Sequence, residues 1–192
     1  MLKEIWEAVL YMADMLDSFV LHLENASKSQ LSRQPLKPIL ERAVQLVRAH
    51  PDADSVELSC EDIPGIEVFA GFHWLCSAVF NLLLNACQAV QLACQLKRIR
   101  VKCYQDRNHV FIRIKDSGPG VPDSVQKTLS HPVSTMDPRR RTGLGIAIAK
   151  GVVREHGGCL FLESSRPGST IFIVELPRAE CDQRDRKTPG NN

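Results

Sequence analysis

The sequence contains no C-x-x-C pair, no basic leader running into an uninterrupted apolar stretch, and no segment of membrane-spanning length. Each absence excludes something. Without paired cysteine spacing a zinc site has no ligand set to start from. The seven cysteines (Cys60, Cys76, Cys87, Cys94, Cys103, Cys159 and Cys181) are an odd number and mostly sit inside apolar runs. That is the pattern of reduced core thiols, and it implies a reducing, cytoplasmic setting. Lacking a leader or a span, the polypeptide reads as soluble, whether alone or as part of a membrane-bound parent. Charge excess is missing too: a formal net charge of +2 gives no reason to expect a nucleic-acid partner.

What is present is ordinary for a globular chain. Hydrophobic residues at 44% and charged residues at 24%, over 192 residues, suffice for one good-sized core plus an appended helix without disulfide staples.

The first thirty residues place Leu2, Ile5, Val9, Met12, Leu16, Phe19 and Leu23 at alternating steps of three and four, a heptad seam. Trp6, Leu10, Met15 and Val20 widen the stripe. This predicts a bundle helix over 1–30, either paired with a second copy in a homodimer or folded back on its own domain. After a polar joint, "SKSQLSRQPLKP", the run "ILERAVQLVRAH" predicts a short amphipathic helix stopped by Pro51. "SVELSC" and "IEVFA" alternate as strands around the turn "EDIPG". "FHWLCSAVFNLLLNACQAVQLACQL" is too long and too apolar for anything but a central buried helix.

"RIRVKCYQ" and "HVFIRIK", joined by "DRN", predict a hairpin. "TGLGIAIAKGVVREHGG" predicts a helix entered through glycines and closed by Gly157. "CLFLESS" and "STIFIVELP" make a last strand pair around "RPG", and the charged tail, 178–192, reads as disordered. The expected fold is an α/β (α+β) two-layer sandwich, a mixed sheet of five or six strands with helices on one face, over residues 31–177.

Polar residues interrupt this plan at three places. Asn81 and Asn85 lie one turn apart on an otherwise apolar helix, so they share a face. Either they cap nearby backbone, or Asn85 offers an oxygen to a hard cation such as Mg2+. Asp116 ends the hairpin strand, followed by Gly118 and Gly120 in "DSGPG". This is plain turn chemistry, or else a carboxylate accepting from an adenine amine beside glycines that let backbone approach a flat base. Gly143 and Gly145 precede the helical run "IAIAKGVV", where free amides can face phosphate. The basic run Arg139, Arg140 and Arg141 adds charge there or is a solvated loop.

Together, N-x-x-x-N, then D-x-G-x-G, then G-x-G opening a helix, then the hairpin ending "GSTIFIVELP", resemble the ATP-binding domain of sensor histidine kinases. That domain belongs to the wider group with gyrase, the heat-shock chaperone ATPases and MutL. "NLLLNACQAV" looks like the N-box, "DSGPG" the G1 box and "TGLGIAIAKGVVREHGG" the G2 box, over about Gln34 to Pro177. The helix over 1–30 looks like part of that family's dimerisation and phosphotransfer bundle.

The resemblance implies the Bergerat fold, with ATP and Mg2+ as cofactors. It implies that Asn85 binds the metal, Asp116 the adenine amine, and Gly118 and Gly120 the base. Gly143, Leu144 and Gly145 would meet the phosphates, with Thr170 near the adenine and Gln88, as in nitrogen-regulation kinases, at the nucleotide. Asn81 stands where hydrolysing relatives carry a water-activating glutamate, which implies phosphotransfer to a histidine, with a response regulator or acceptor-histidine protein as partner.

Two departures stand out. The lid segment reads "HPVSTMD", with Val133, Ser134 and Asp137 in place of two aromatics and a lysine. None of the six histidines precedes an acid as a phosphoacceptor does: His22, His50, His73, His109, His131 and His156 instead suit surface or core-edge roles. The alternative these leave open is a pseudokinase or dimeric scaffold that binds nucleotide or a response regulator without catalysis.

Overall fold

The computed structural model describes residues 31–61, 63, 65–93, 96–121, 126 and 143–179. The helix expected over 1–30, the lid segment, the basic run Arg139 to Arg141 and residues 180–192 lie outside these.

Helix α1 (Leu36–Arg48) follows directly on strand β1 (Ser32–Pro35), and a 3-10 turn, Pro51–Ala53, leads to β2 (Glu57–Cys60). Then come β3 (Glu67–Ala70), helix α2 (Phe72–Gln91), the hairpin β4 (Arg98–Gln105) and β5 (His109–Asp116), helix α3 (Gly143–Glu155), and the strands β6 (Cys159–Arg166) and β7 (Ser169–Pro177). Five strands form a mixed sheet in the order β2-β4-β5-β7-β6, parallel between β2 and β4 and antiparallel elsewhere.

The period-two pattern makes one face of this sheet apolar. In β5, Val110, Ile112, Ile114 and Asp116 are buried and alternate with half-buried residues. Against that face lie α2 and α3, which fill the core with Leu75, Val79, Leu83, Val90, Ala149 and Val153. In α1, Leu36, Ile39, Leu40, Ala43, Val44 and Val47 recur at helical spacing and close the same core. The two-layer sandwich expected from the sequence is the fold that forms. No described helix is long and apolar enough to cross a membrane.

Four expectations are corrected. "SVELSC" and "IEVFA" do not pair around their turn: β2 joins β4 in parallel, while β3 pairs antiparallel with β1 in a separate two-stranded sheet. The residues read as a polar joint, Ser32 to Pro35, therefore form a strand, held by its ladder to β3 rather than by its own propensity. Cys60 and Cys159 are exposed, whereas Cys76 and Cys87 are buried as expected. The chain stays ordered beyond Pro177: the Arg178 amide donates to the Asn108 carbonyl at 2.8 Å, and Arg178 bridges to Val68.

Helix α3 ends through Gly157, at φ 72°. The amide of Gly157 donates to the Arg154 carbonyl and that of Gly158 to the Val153 carbonyl, both at 2.9 Å, the paired bonds that close a helix. His156, at the same corner, is 5% exposed. Its Nδ1 donates to the Val152 carbonyl at 2.7 Å, and its Nε2 accepts from the Gly71 amide at 3.1 Å. The ring therefore ties the start of α2 to the end of α3 as a neutral imidazole, and burial lowers its pKa.

Candidate nucleotide site

One line along α2 organises the site. Asn81, Asn85 and Ala89 recur every fourth residue, on the side of the helix left half-buried by the core. Gly145 of α3 rests on the first part of the line. A β-carbon there would come within 2.8 Å of Asn85 Nδ2 and 3.4 Å of Asn81 Oδ1. Gly118 rests on the last part, where a β-carbon would lie 2.9 Å from Ala89 Cβ and 3.2 Å from its carbonyl carbon. The two glycine motifs thus meet the helix at successive turns: a β-carbon at Gly118 would press on the backbone of Ala89, whereas one at Gly145 would meet only the side-chain tips of Asn85 and Asn81.

Helix α3 begins at Gly143 rather than after the glycines, so Gly143, Leu144 and Gly145 all fall in its first turn. Amides of a first turn have no intrahelical acceptor and are free for an anion. Asn81 partly takes the bland role considered for it: its Nδ2 donates to the Ser77 carbonyl at 2.9 Å. Asn85 does not, because its Nδ2 is buried with no hydrogen-bond partner. A buried donor without an acceptor costs about 1–3 kcal/mol. An anionic oxygen within reach would satisfy it.

At the other end of the line the polar groups are already satisfied. Asp116 is 3% exposed, and its Oδ1 accepts from the Gly118 amide at 2.8 Å. Thr170, its direct cross-strand partner on β7, is equally buried and donates its hydroxyl to the carboxylate. Burial raises the Asp116 pKa, and the Gly118 amide and Thr170 hydroxyl partly offset this by favouring the ionised form.

Behind the carboxylate, the "DSGPG" loop is braced on several sides. Gly168 donates its amide to the Gly118 carbonyl at 2.8 Å, and Ser165 Oγ accepts from the Val121 amide at 2.7 Å. Ser117 Oγ accepts from the Arg98 amide at 2.9 Å. Gly120 sits at φ 90°, where other residues are strained.

Gln88 is placed elsewhere. Its Nε2 donates to Asp52 Oδ2 at 3.0 Å in the 3-10 turn, so its amide is engaged away from the Asn85–Gly145 contact. Sequence reading missed Ala89, Ser117, Ser165 and Gly168. Of these only Ala89 carried a signal, as the small residue completing the four-residue spacing from Asn81 and Asn85. The others brace the loop through tertiary pairing that no local pattern announces.

The family model described as "Histidine kinase-, DNA gyrase B-, and HSP90-like ATPase" matches residues 72–180, and the chain belongs to that family. This makes it an ATP-binding domain. It is 29% identical over 184 residues to the C4-dicarboxylate transport sensor protein DctB of Rhizobium meliloti (strain 1021), covering 93% of this chain and 28% of that protein. It is 28% identical over 187 residues to the sensory histidine kinase/phosphatase NtrB of Vibrio alginolyticus, covering 92% and 53%. The chain therefore spans between about a quarter and a half of the length of these two curated relatives.

Among solved structures it is similar to the mycobacterial sensor histidine kinase MprB, with TM-score 0.60 and 26% identity over 78% of this chain and 98% of that one. The catalytic domain of histidine kinase ThkA gives a TM-score of 0.63 at 22% identity, with the same coverage, and adds support for the fold alone. The sandwich is the Bergerat fold.

Proposed function

We propose that this chain is the Mg-ATP-binding catalytic domain of a two-component sensor histidine kinase, which transfers the γ-phosphoryl group to a histidine outside this chain. The observation that carries the reading is the convergence on α2: Gly145 over Asn81 and Asn85, Gly118 over Ala89, and the buried Asp116 behind Gly118.

In this reading the Asp116 carboxylate accepts a hydrogen bond from the exocyclic amine of adenine, which guanine cannot supply. Thr170 and the Gly118 amide hold that carboxylate in place. Gly118 and Gly120 keep the wall of the base pocket flat. The first-turn amides of Gly143, Leu144 and Gly145 receive the phosphates at the positive end of the helix. Asn85 suits both a phosphate and a cation, since its orphaned Nδ2 can donate to an anionic oxygen while Oδ1 is an oxygen ligand for Mg2+. When bound, the metal would neutralise charge on the phosphates.

No side chain on this line can act as a general base toward water. Asn81 is an amide whose Nδ2 is committed to Ser77. Catalysis then rests on positioning and on charge neutralisation, which favours transfer to a placed acceptor over hydrolysis. The heptad stripe of residues 1–30 is assigned to homodimerisation, and a response regulator to the downstream step.

Calorimetric titration with Mg-ATP, comparing wild type with Asp116→Ala and Asn85→Ala, tests the site; unchanged affinity in both variants would refute it. Incubation with labelled ATP and a separately supplied acceptor bundle tests the transfer, and binding without transfer would favour the scaffold alternative. Sedimentation of the chain at high concentration as a monomer would reject the dimer.

A further inference from the structure

The face of the sheet turned away from the helices carries five cations on β4 and β5. Three of them are matched. Arg98 pairs with Glu57 at 2.8 Å, Lys102 with Glu61 at 2.6 Å and Arg113 with Glu163 at 2.9 Å. Arg100 and Lys115 have no carboxylate within ion-pair distance among the described residues, yet they are direct cross-strand partners. Like charges set opposite each other in an antiparallel pair destabilise it. A face that matches every cation around them leaves this pair uncompensated.

The pair also lines a surface depression of about 260 Å³, together with Arg98, Leu96 and the Asp116–Ser117 step. The Asp116 carboxylate does not offset the charge, because it is buried on the helix side with Thr170 and the Gly118 amide. At the rim Leu96 is 69% exposed. Cations and an exposed leucine thus share one opening.

We propose that this depression docks an acidic protein segment, presenting one or two carboxylates to Arg100 and Lys115 beside an apolar side chain that covers Leu96. The surroundings select this occupant. Because Glu57, Glu61 and Glu163 neutralise the neighbouring cations, the uncompensated charge is confined to Arg100 and Lys115, which suits one or two carboxylates rather than an extended polyanion such as a nucleic-acid backbone or an anionic bilayer. Leu96 gives a segment with an apolar neighbour an advantage over a free inorganic anion. Arg100 and Lys115 lie on the opposite face from the nucleotide line, while the edge of the depression at Asp116, Ser117 and Gly168 borders the base-end loop; the proposal does not depend on the nucleotide reading.

The test uses the full 192-residue chain, 15N-labelled. The probe is a capped hexapeptide carrying two adjacent glutamates between leucines, followed by amide shifts. The expected result is saturable shifts confined to Leu96, Arg98 to Val101 and Ile114 to Ser117. Affinity should fall at least about tenfold for the glutamine version of the peptide and for the Arg100→Gln/Lys115→Gln double variant. Removing the opposed charges should also raise the Tm of the double variant, with Mg-ATP affinity unchanged. The proposal is overturned if the glutamine peptide binds as well, if the double variant binds the acidic peptide undiminished, or if its Tm does not rise. Equal shifts from inorganic phosphate alone, or tighter binding to anionic phospholipid vesicles, would overturn it in favour of those ligands.

Discussion

The two ends of the α2 line differ in what they hold before any ligand arrives. At the base end Asp116 already accepts from Gly118 and Thr170, and the loop around it is braced by Ser117, Ser165 and Gly168. At the phosphate end Asn85 keeps a buried donor without a partner, and the contact above it is a bare glycine. One end is finished by the fold. In the proposed reading the other is completed by the ligand. Selectivity for the base would then be pre-organised, whereas phosphate binding would relieve a cost already present in the free protein.

The largest way to break this contrast is at the finished end. Asp116→Ala removes a charge-assisted hydrogen bond of about 1.5–3 kcal/mol, so adenosine and ATP affinities should both drop roughly tenfold to a hundredfold, as read by calorimetry. Equal losses for the two ligands would place the effect on the base. At the unfinished end, Gly145→Ala should weaken ATP about tenfold while leaving adenosine binding and Tm nearly unchanged. The new methyl meets the movable tip of Asn85 rather than backbone, so it displaces the amide without breaking the core. A large fall in Tm would show that α3 cannot absorb the methyl and would blur the contrast.

The pH response sharpens the comparison. Because burial raises the Asp116 pKa, the ionised form costs the free fold stability as pH rises through that value. In its proposed role Asp116 accepts from adenine only when ionised, so base affinity should begin to fall at a pH above the ordinary carboxylate range. Adenosine titrations from neutral to acid pH check this, and an Asp116→Asn variant should lose the dependence. His156 works in the opposite sense. Its folded pKa lies below the ordinary histidine value, so its stabilising link is intact above that value and is lost as pH falls through the lowered one. Melting curves of wild type and His156→Gln across mildly acid pH should converge as the solution is acidified.

The smallest effect is expected from Thr170→Ala, which removes one neutral donor to Asp116. About 0.5–1.5 kcal/mol is at stake, visible as a several-fold loss for adenosine. ATP should lose no more than adenosine does.

What could be read from the sequence divides along physical lines. The β4–β5 hairpin, the last strand pair and the two long helices carry strong local periodicity, and they form within a residue or a few of where the pattern put them. Strand β1 does not: "SRQP" has no strand propensity and exists as one only because β3 lies beside it. The parallel pairing of β2 with β4 was equally invisible, since partner choice over such a separation leaves no local mark. In the site, Asn81, Asn85, Asp116 and the glycines could be picked out because each breaks an apolar or regular run. Gln88 was placed by resemblance, and in the structure its amide donates to Asp52 in the 3-10 turn, a partner that no local pattern marks.

The pairing of Asp116 with Thr170 has a further consequence, for biosynthesis. The carboxylate is made before the strand that buries and holds it, with α3 and β6 between the two. A nascent domain that has not yet added β7 lacks the Thr170 hydroxyl, so in the proposed role the carboxylate is held ready for adenine only after β7 has emerged and paired.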